Sequence, residues 1–224
     1  MSFRSTFLVA AAACVLLLTG AADEKTLTSI DKGPDGLAPA IASLVNPKGY
    51  RVQSDEGAVC DVWLLKDVAL KPGFKQTLNV KYPFQTGELV GVLRVGDKVE
   101  FTDFRGQPVK PGVYTLRYGQ QPQDGNHIGT SDVYDFLVAL PAATDTDPKL
   151  FVPPDRLHKA SSKSVGTNHP AIFSLLAVES PIASPTLSKE ENDRWVLGVP
   201  VQGDDGGKKS SLSLRVVVIG KVAG

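Results

Sequence analysis

From about residue 49 onward the chain alternates apolar and polar positions with a period of two, and turn residues interrupt it at roughly ten-residue intervals. Over 58–65, Cys60, Val62 and Leu64 fall on one strand face and Val59, Asp61 and Trp63 on the other. Tyr50-Arg51-Val52-Gln53 predicts a short strand, and 77–82 a strand that pairs locally. Leu89, Leu93 and Val95 share one side of a strand over 89–95. Gly96-Asp97-Lys98 then predicts a tight hairpin into another strand over 99–104.

The clearest alternation lies in 110–141. Tyr114, Leu116 and Tyr118 form one face of its first strand, with Val113, Thr115 and Arg117 on the other. On the return strand Tyr134, Phe136, Val138 and Leu140 line up, and the two aromatic faces are expected to meet in one core. Lys110-Pro111-Gly112-Val113-Tyr114 has the form of the tyrosine corner of immunoglobulin-like sandwiches, in which the phenol bonds back to nearby backbone. The stretch 142–167 is polar and rich in Pro and Ser, which predicts an irregular surface wrap or linker. Three apolar stretches follow, at 172–178, 195–201 and 212–219. The first fits a strand or a short helix; the other two flank the hairpin loop 203–209, with Leu212, Leu214, Val216 and Val218 alternating cleanly. Near the start, Pro39 opens a predicted helix of about two turns, since its φ is preset and its missing N–H is harmless there. The sum is an all-β chain: an antiparallel β-sandwich, broadly immunoglobulin-like, with a short N-terminal helix, built as one domain over 23–224.

The first 22 residues stand apart from this pattern. One positive charge, Arg4, precedes an apolar run over 7–18 and the small residues Gly20-Ala21-Ala22. These are the three regions of a cleaved secretory signal, and the run is shorter than the roughly 20 residues a membrane span needs. Ala11-Ala12-Ala13-Cys14 only faintly resembles a lipobox, so the ordinary signal is preferred. The expectation is a secreted or periplasmic protein without a membrane span after cleavage. Cleavage leaves Cys60 as the one remaining cysteine, so no intramolecular disulfide can form. In its apolar run Cys60 reads as a buried thiol. The chain has 24 basic and 24 acidic residues, and losing Arg4 brings the net charge to −1. Such a balance argues against nucleic acid or an anionic membrane as partner.

Candidate chemistry concentrates in the loop 119–132, longer than the two to five residues a plain hairpin needs. Gln123, Asp124, Asn126, His127 and Asp132 are its candidate ligand-binding residues, flanked by Gly125 and Gly129. The competing view is that Asp and Asn form local turns and His127 packs within the loop. No cofactor is expected. Calcium remains the alternative, because Asp124 and Asn126 offer two of the six to eight oxygens it takes, although the EF-hand pattern is absent. His127, His158 and His169 lack the spacing of a zinc site. There is no Gly-x-Ser-x-Gly elbow, and Trp63 and Trp195 sit in strand patterns that predict core rather than a sugar platform.

The segment PGVYTLRY, followed by QPQDGNHIGTS and DFLVALP, resembles a family of uncharacterised secreted bacterial β-sandwich proteins, strongly over 111–141 and loosely in the flanks. The resemblance implies an exported bacterial protein and directs attention to the same loop, and it transfers no activity. The expected function is a non-catalytic binding module using the 119–132 loop, with an unknown ligand or envelope partner. A hydrolase with a site assembled from several loops, or a structural envelope protein, is the alternative.

Overall fold

The computed structural model describes residues 24–122 and 133–220. The stretch expected to be a signal, and Gln123, Asp124, Asn126, His127 and Asp132, lie outside these residues. What is described is an all-β sandwich of two sheets. The larger sheet is an antiparallel meander of seven strands: β1 (Thr26–Ile30), β2 (Val45–Ser54), β3 (Gly57–Leu65), β5 (Leu89–Val95), β6 (Gly112–Gln120), β7 (Asp135–Pro141) and β8 (Ala171–Ser174), adjacent in that order. In the smaller sheet β10 (Arg194–Asp205) pairs along its whole length with β11 (Lys208–Ile219). The other edge of β10 carries β9 (Thr186–Glu190) and the two-residue β4 (Val68–Ala69), the latter parallel.

The 203–209 hairpin forms as predicted, turning at Gly206-Gly207 with Asp205 opposite Lys208. Leu214, Val216 and Val218 are buried against Val62, Leu93, Leu116 and Leu137 of the large sheet, in one continuous core. Cys60, Trp63 and Trp195 are core residues. Burial pushes the Cys60 thiol far up, so it stays protonated and packs. Tyr82 joins the sheets: its hydroxyl donates to the Leu176 carbonyl (2.7 Å) and accepts from the Arg215 N–H (3.0 Å). Tyr114 makes the expected corner, its hydroxyl donating to the Lys110 carbonyl at 2.6 Å.

Several local expectations are corrected. The 112–141 hairpin does not put both aromatic faces into one core. Its register sets Leu116 opposite Ala139 and Tyr118 opposite Leu137, and these four face the smaller sheet. Phe136, Val138 and Leu140 therefore face outward, into a separate cluster with Leu157. That cluster is roofed by a helix inside the stretch expected to be irregular: α2 (Pro154–Val165). Ser-rich sequence hid it, because Ser161 and Ser164 occupy its buried face and donate to the Ala139 carbonyl of β7 at 2.7 and 3.0 Å. Pro154 at its first turn and Gly166 in the left-handed conformation at its end are ordinary helix boundaries.

The predicted strand over 99–104 is an irregular loop. The buried carboxylate of Asp103 replaces ladder bonds by accepting from the N–H groups of Arg105, Gln107 and Ile172 and from Gln107 Nε2, at 2.8–3.1 Å. Residues 77–82 are likewise irregular, closed by a bond from the Thr77 N–H to the Val80 carbonyl (2.9 Å). The N-terminal helix α1 (Pro39–Ala42) is one turn rather than two, and β2 begins sooner than expected, at Val45.

Candidate functional site

The outer face of the large sheet carries three polar arrangements with different fates. Two are sealed. Arg117 on β6 is fully buried and spends its donors inward. Nε and Nη2 grip Asp145 (2.6 and 2.9 Å), Nη1 reaches the carbonyls of Gly87 and Lys149 (both 2.8 Å), and Nη2 also meets the Asp147 carbonyl. Thr115 donates to the same Asp145 carboxylate. This is a clamp that ties the strap before α2 to the sheet. Trp63 is buried, and its Nε1 donates to the Lys32 carbonyl (3.0 Å).

The third arrangement stays open. Strand pairing places Arg51 of β2, Asp61 of β3 and Arg94 of β5 side by side on the outer face. Asp61 is only 2% exposed and accepts from Arg51 Nε (2.7 Å) and Nη2 (2.9 Å) and from Arg94 Nη2. The two arginine side chains remain 32% and 40% exposed. Asp61 holds the Arg51 guanidinium in its charged form by hydrogen bonding, pushing its pKa up. Arg94 also lies over the Trp63 ring, 5.7 Å from its centroid.

These three side chains floor a groove of about 650 Å³, with Gln53, Ala58 and Pro111 in its walls. Glu56, Asp97 and Lys98 stand exposed at its rim. The volume falls within the range of roughly 300–1,000 Å³ usual for small-molecule sites. Two other cavities, of about 220 and 280 Å³, are smaller.

The loop singled out by sequence departs from the other end of β6. Gly112 lines the groove, whereas the loop follows Gln120 at the far end of the nine-residue strand, roughly 26 Å away at the usual rise per residue. The loop's base is well fixed. Asp135 accepts from the Tyr118 hydroxyl and from the Lys81 N–H (2.6 Å), while Gln120 Nε2 donates to the Tyr118 hydroxyl at 2.9 Å. Burial raises the pKa of Asp135 and, with the neighbouring Asp135 charge, that of Tyr118. Of the other histidines, His158 sits on α2 against the Phe136 ring and His169 is exposed in the turn beyond α2. Among the described residues no group of three or more His, Cys, Asp or Glu is placed to hold a metal ion. No helix among them is long and apolar enough to cross a membrane.

Sequence reasoning placed Asp61 on the face opposite Cys60 but did not find its partners. Arg51 and Arg94 are ten and thirty-three positions away, and only the register of three strands joins them. Comparisons of the chain with protein-family models, curated proteins and solved structures produced no match.

Proposed function

We propose that the protein is an exported, non-catalytic binding module whose ligand sits in the groove over Asp61. The observation that carries this is the open floor: two arginines pinned by one buried aspartate, at the base of a cavity large enough for a small molecule. Every other buried charged side chain described above is consumed by a structural bond, as Arg117, Asp103 and Asp135 are. Export is supported by the signal pattern over 1–22 and by the resemblance of 111–141 to secreted bacterial proteins.

Thermal melting against a panel of neutral, cationic and anionic small molecules tests the site. A ligand for the folded state raises the melting temperature, and the rise must vanish in Gln53→Trp, which fills the groove from its wall. Identical melts across the panel, or a rise that survives Gln53→Trp, would overturn the proposal.

The fixed base at Tyr118 and Asp135 favours a second reading, in which the 119–132 loop binds through Gln123, Asp124, Asn126, His127 and Asp132. Its test is melting of the Asp124→Ala/His127→Ala double variant with and without calcium and zinc. Loss of a metal-dependent rise supports it; identical melts in all conditions count against it.

A further inference from the structure

We infer that the ligand of this groove carries an oxyanion, a carboxylate or a phosphate, held by the outward N–H groups of Arg51 and Arg94. The inference rests on the groove being the binding site. Asp61 takes two N–H donors from Arg51 and one from Arg94. A guanidinium has five, so each arginine keeps donors that no protein acceptor takes among the described residues.

The charge on the floor has one sign. Two guanidinium cations share one carboxylate, which leaves one positive charge in excess where Asp61 is buried and the arginines are partly shielded. The rim carries Glu56 and Asp97 against Lys98, an excess of one negative charge, but all three are exposed. Exposed charges are screened within about 8–10 Å at ordinary ionic strength, whereas partly buried ones are screened much less. An anion entering the groove is therefore governed by the floor.

The donors are also held in place before any ligand arrives. Asp61 grips Arg51 through two bonds, and Arg94 is bonded to Asp61 and laid over Trp63, which is itself tied to Lys32. Little side-chain entropy remains to be lost on binding. A planar guanidinium presents paired N–H groups that match carboxylate and phosphate oxygens. The cavity is much larger than a single phosphate, and Ala58 and Pro111 give it an apolar wall. The ligand class is accordingly a small organic acid or phosphate ester whose uncharged part lies along that wall.

The test is calorimetric titration of hexanoate, phenyl phosphate and hexanol into the full mature protein at fixed ionic strength. Wild type, Arg94→Gln and Gln53→Trp are compared. Arg94→Gln leaves the Arg51–Asp61 pair intact, so its ligand-free melt should lie within about 4 °C of the wild type. Binding of hexanoate, phenyl phosphate or both to the wild type, weakened about tenfold or more in Arg94→Gln and abolished in Gln53→Trp, supports the inference. A tenfold loss is the size expected when one charged hydrogen-bond donor is removed. Hexanoate alone or phenyl phosphate alone identifies which oxyanion is read. Hexanol binding as tightly as hexanoate, lost in Gln53→Trp and unaffected by Arg94→Gln, overturns the oxyanion and leaves the groove as the site. No binding of either anion to the wild type also overturns the oxyanion, and the small-molecule panel then decides on the groove itself.

Discussion

Arg117 and Arg94 each bond to an aspartate across the large sheet, and burial gives the two pairs opposite consequences. Arg117 and Asp145 are both buried, so removing one partner leaves an uncompensated charge in the interior. Asp145→Ala is expected to cost about 3–5 kcal/mol in urea unfolding. Arg94 is 40% exposed, and Arg94→Gln is expected to change stability by about 1 kcal/mol or less. Equal losses in the two variants would show that the groove arginine is structural after all. A third residue, Gly49, makes room for Trp63: a Cβ there would stand 2.4 Å from the indole Nε1. Gly49→Ala should destabilise by about 1–3 kcal/mol through overpacking and shift tryptophan emission; an unchanged spectrum and midpoint would contradict the seating of Trp63. Alternation marked Trp63 and Cys60 as core correctly. It could not show that Asp61 between them was buried, because the two neutralising arginines come from other strands.

At the scale of elements, strands whose alternation was regular were legible, and segments held by side chain–backbone bonds were not. The strands β3, β5, β6 and β7 were anticipated near their observed bounds; β10 and β11 were anticipated too, but each runs four residues further into the 203–209 turn than expected. Helix α2 was missed because serines take the place of apolar residues on its buried face, with the Ala139 carbonyl as their acceptor. The 99–104 loop was mistaken for a strand because Gly96-Asp97-Lys98 reads as a hairpin turn, while the Asp103 carboxylate organises an irregular loop instead.

The join between the sheets gives a prediction with a defined pH dependence. Burial is the largest cause of the raised pKa of Tyr82, and it also raises that of Tyr118. The folded protein then keeps phenolic protons that the unfolded chain releases. The stability this supplies is whole below the unfolded value of about 10 and is lost as pH rises through the folded values. Near neutral pH, Tyr82→Phe should cost about 1–3 kcal/mol, since it leaves the Leu176 carbonyl and the Arg215 N–H without their partner. Between about pH 8 and about pH 11 the wild-type urea midpoint should fall more than that of the variant. A gap that stays constant over this range would contradict the role given to the phenol.

For the whole molecule, the sandwich was readable from strand period and turn spacing, but its principal cavity was not. The groove is made by the side-by-side register of β2, β3, β5 and β6, a property of no single stretch of sequence. Length and composition drew attention instead to a second candidate site, the 119–132 loop, which follows the opposite end of β6. Backbone amide NMR separates them directly, by titrating hexanoate and phenyl phosphate into residues 23–224. The predicted result is that shifts cluster at Gly57, Ala58, Gly96, Asp97 and Gly112 around the groove. Shifts centred on residues 121–134, with the groove amides unmoved, would contradict it.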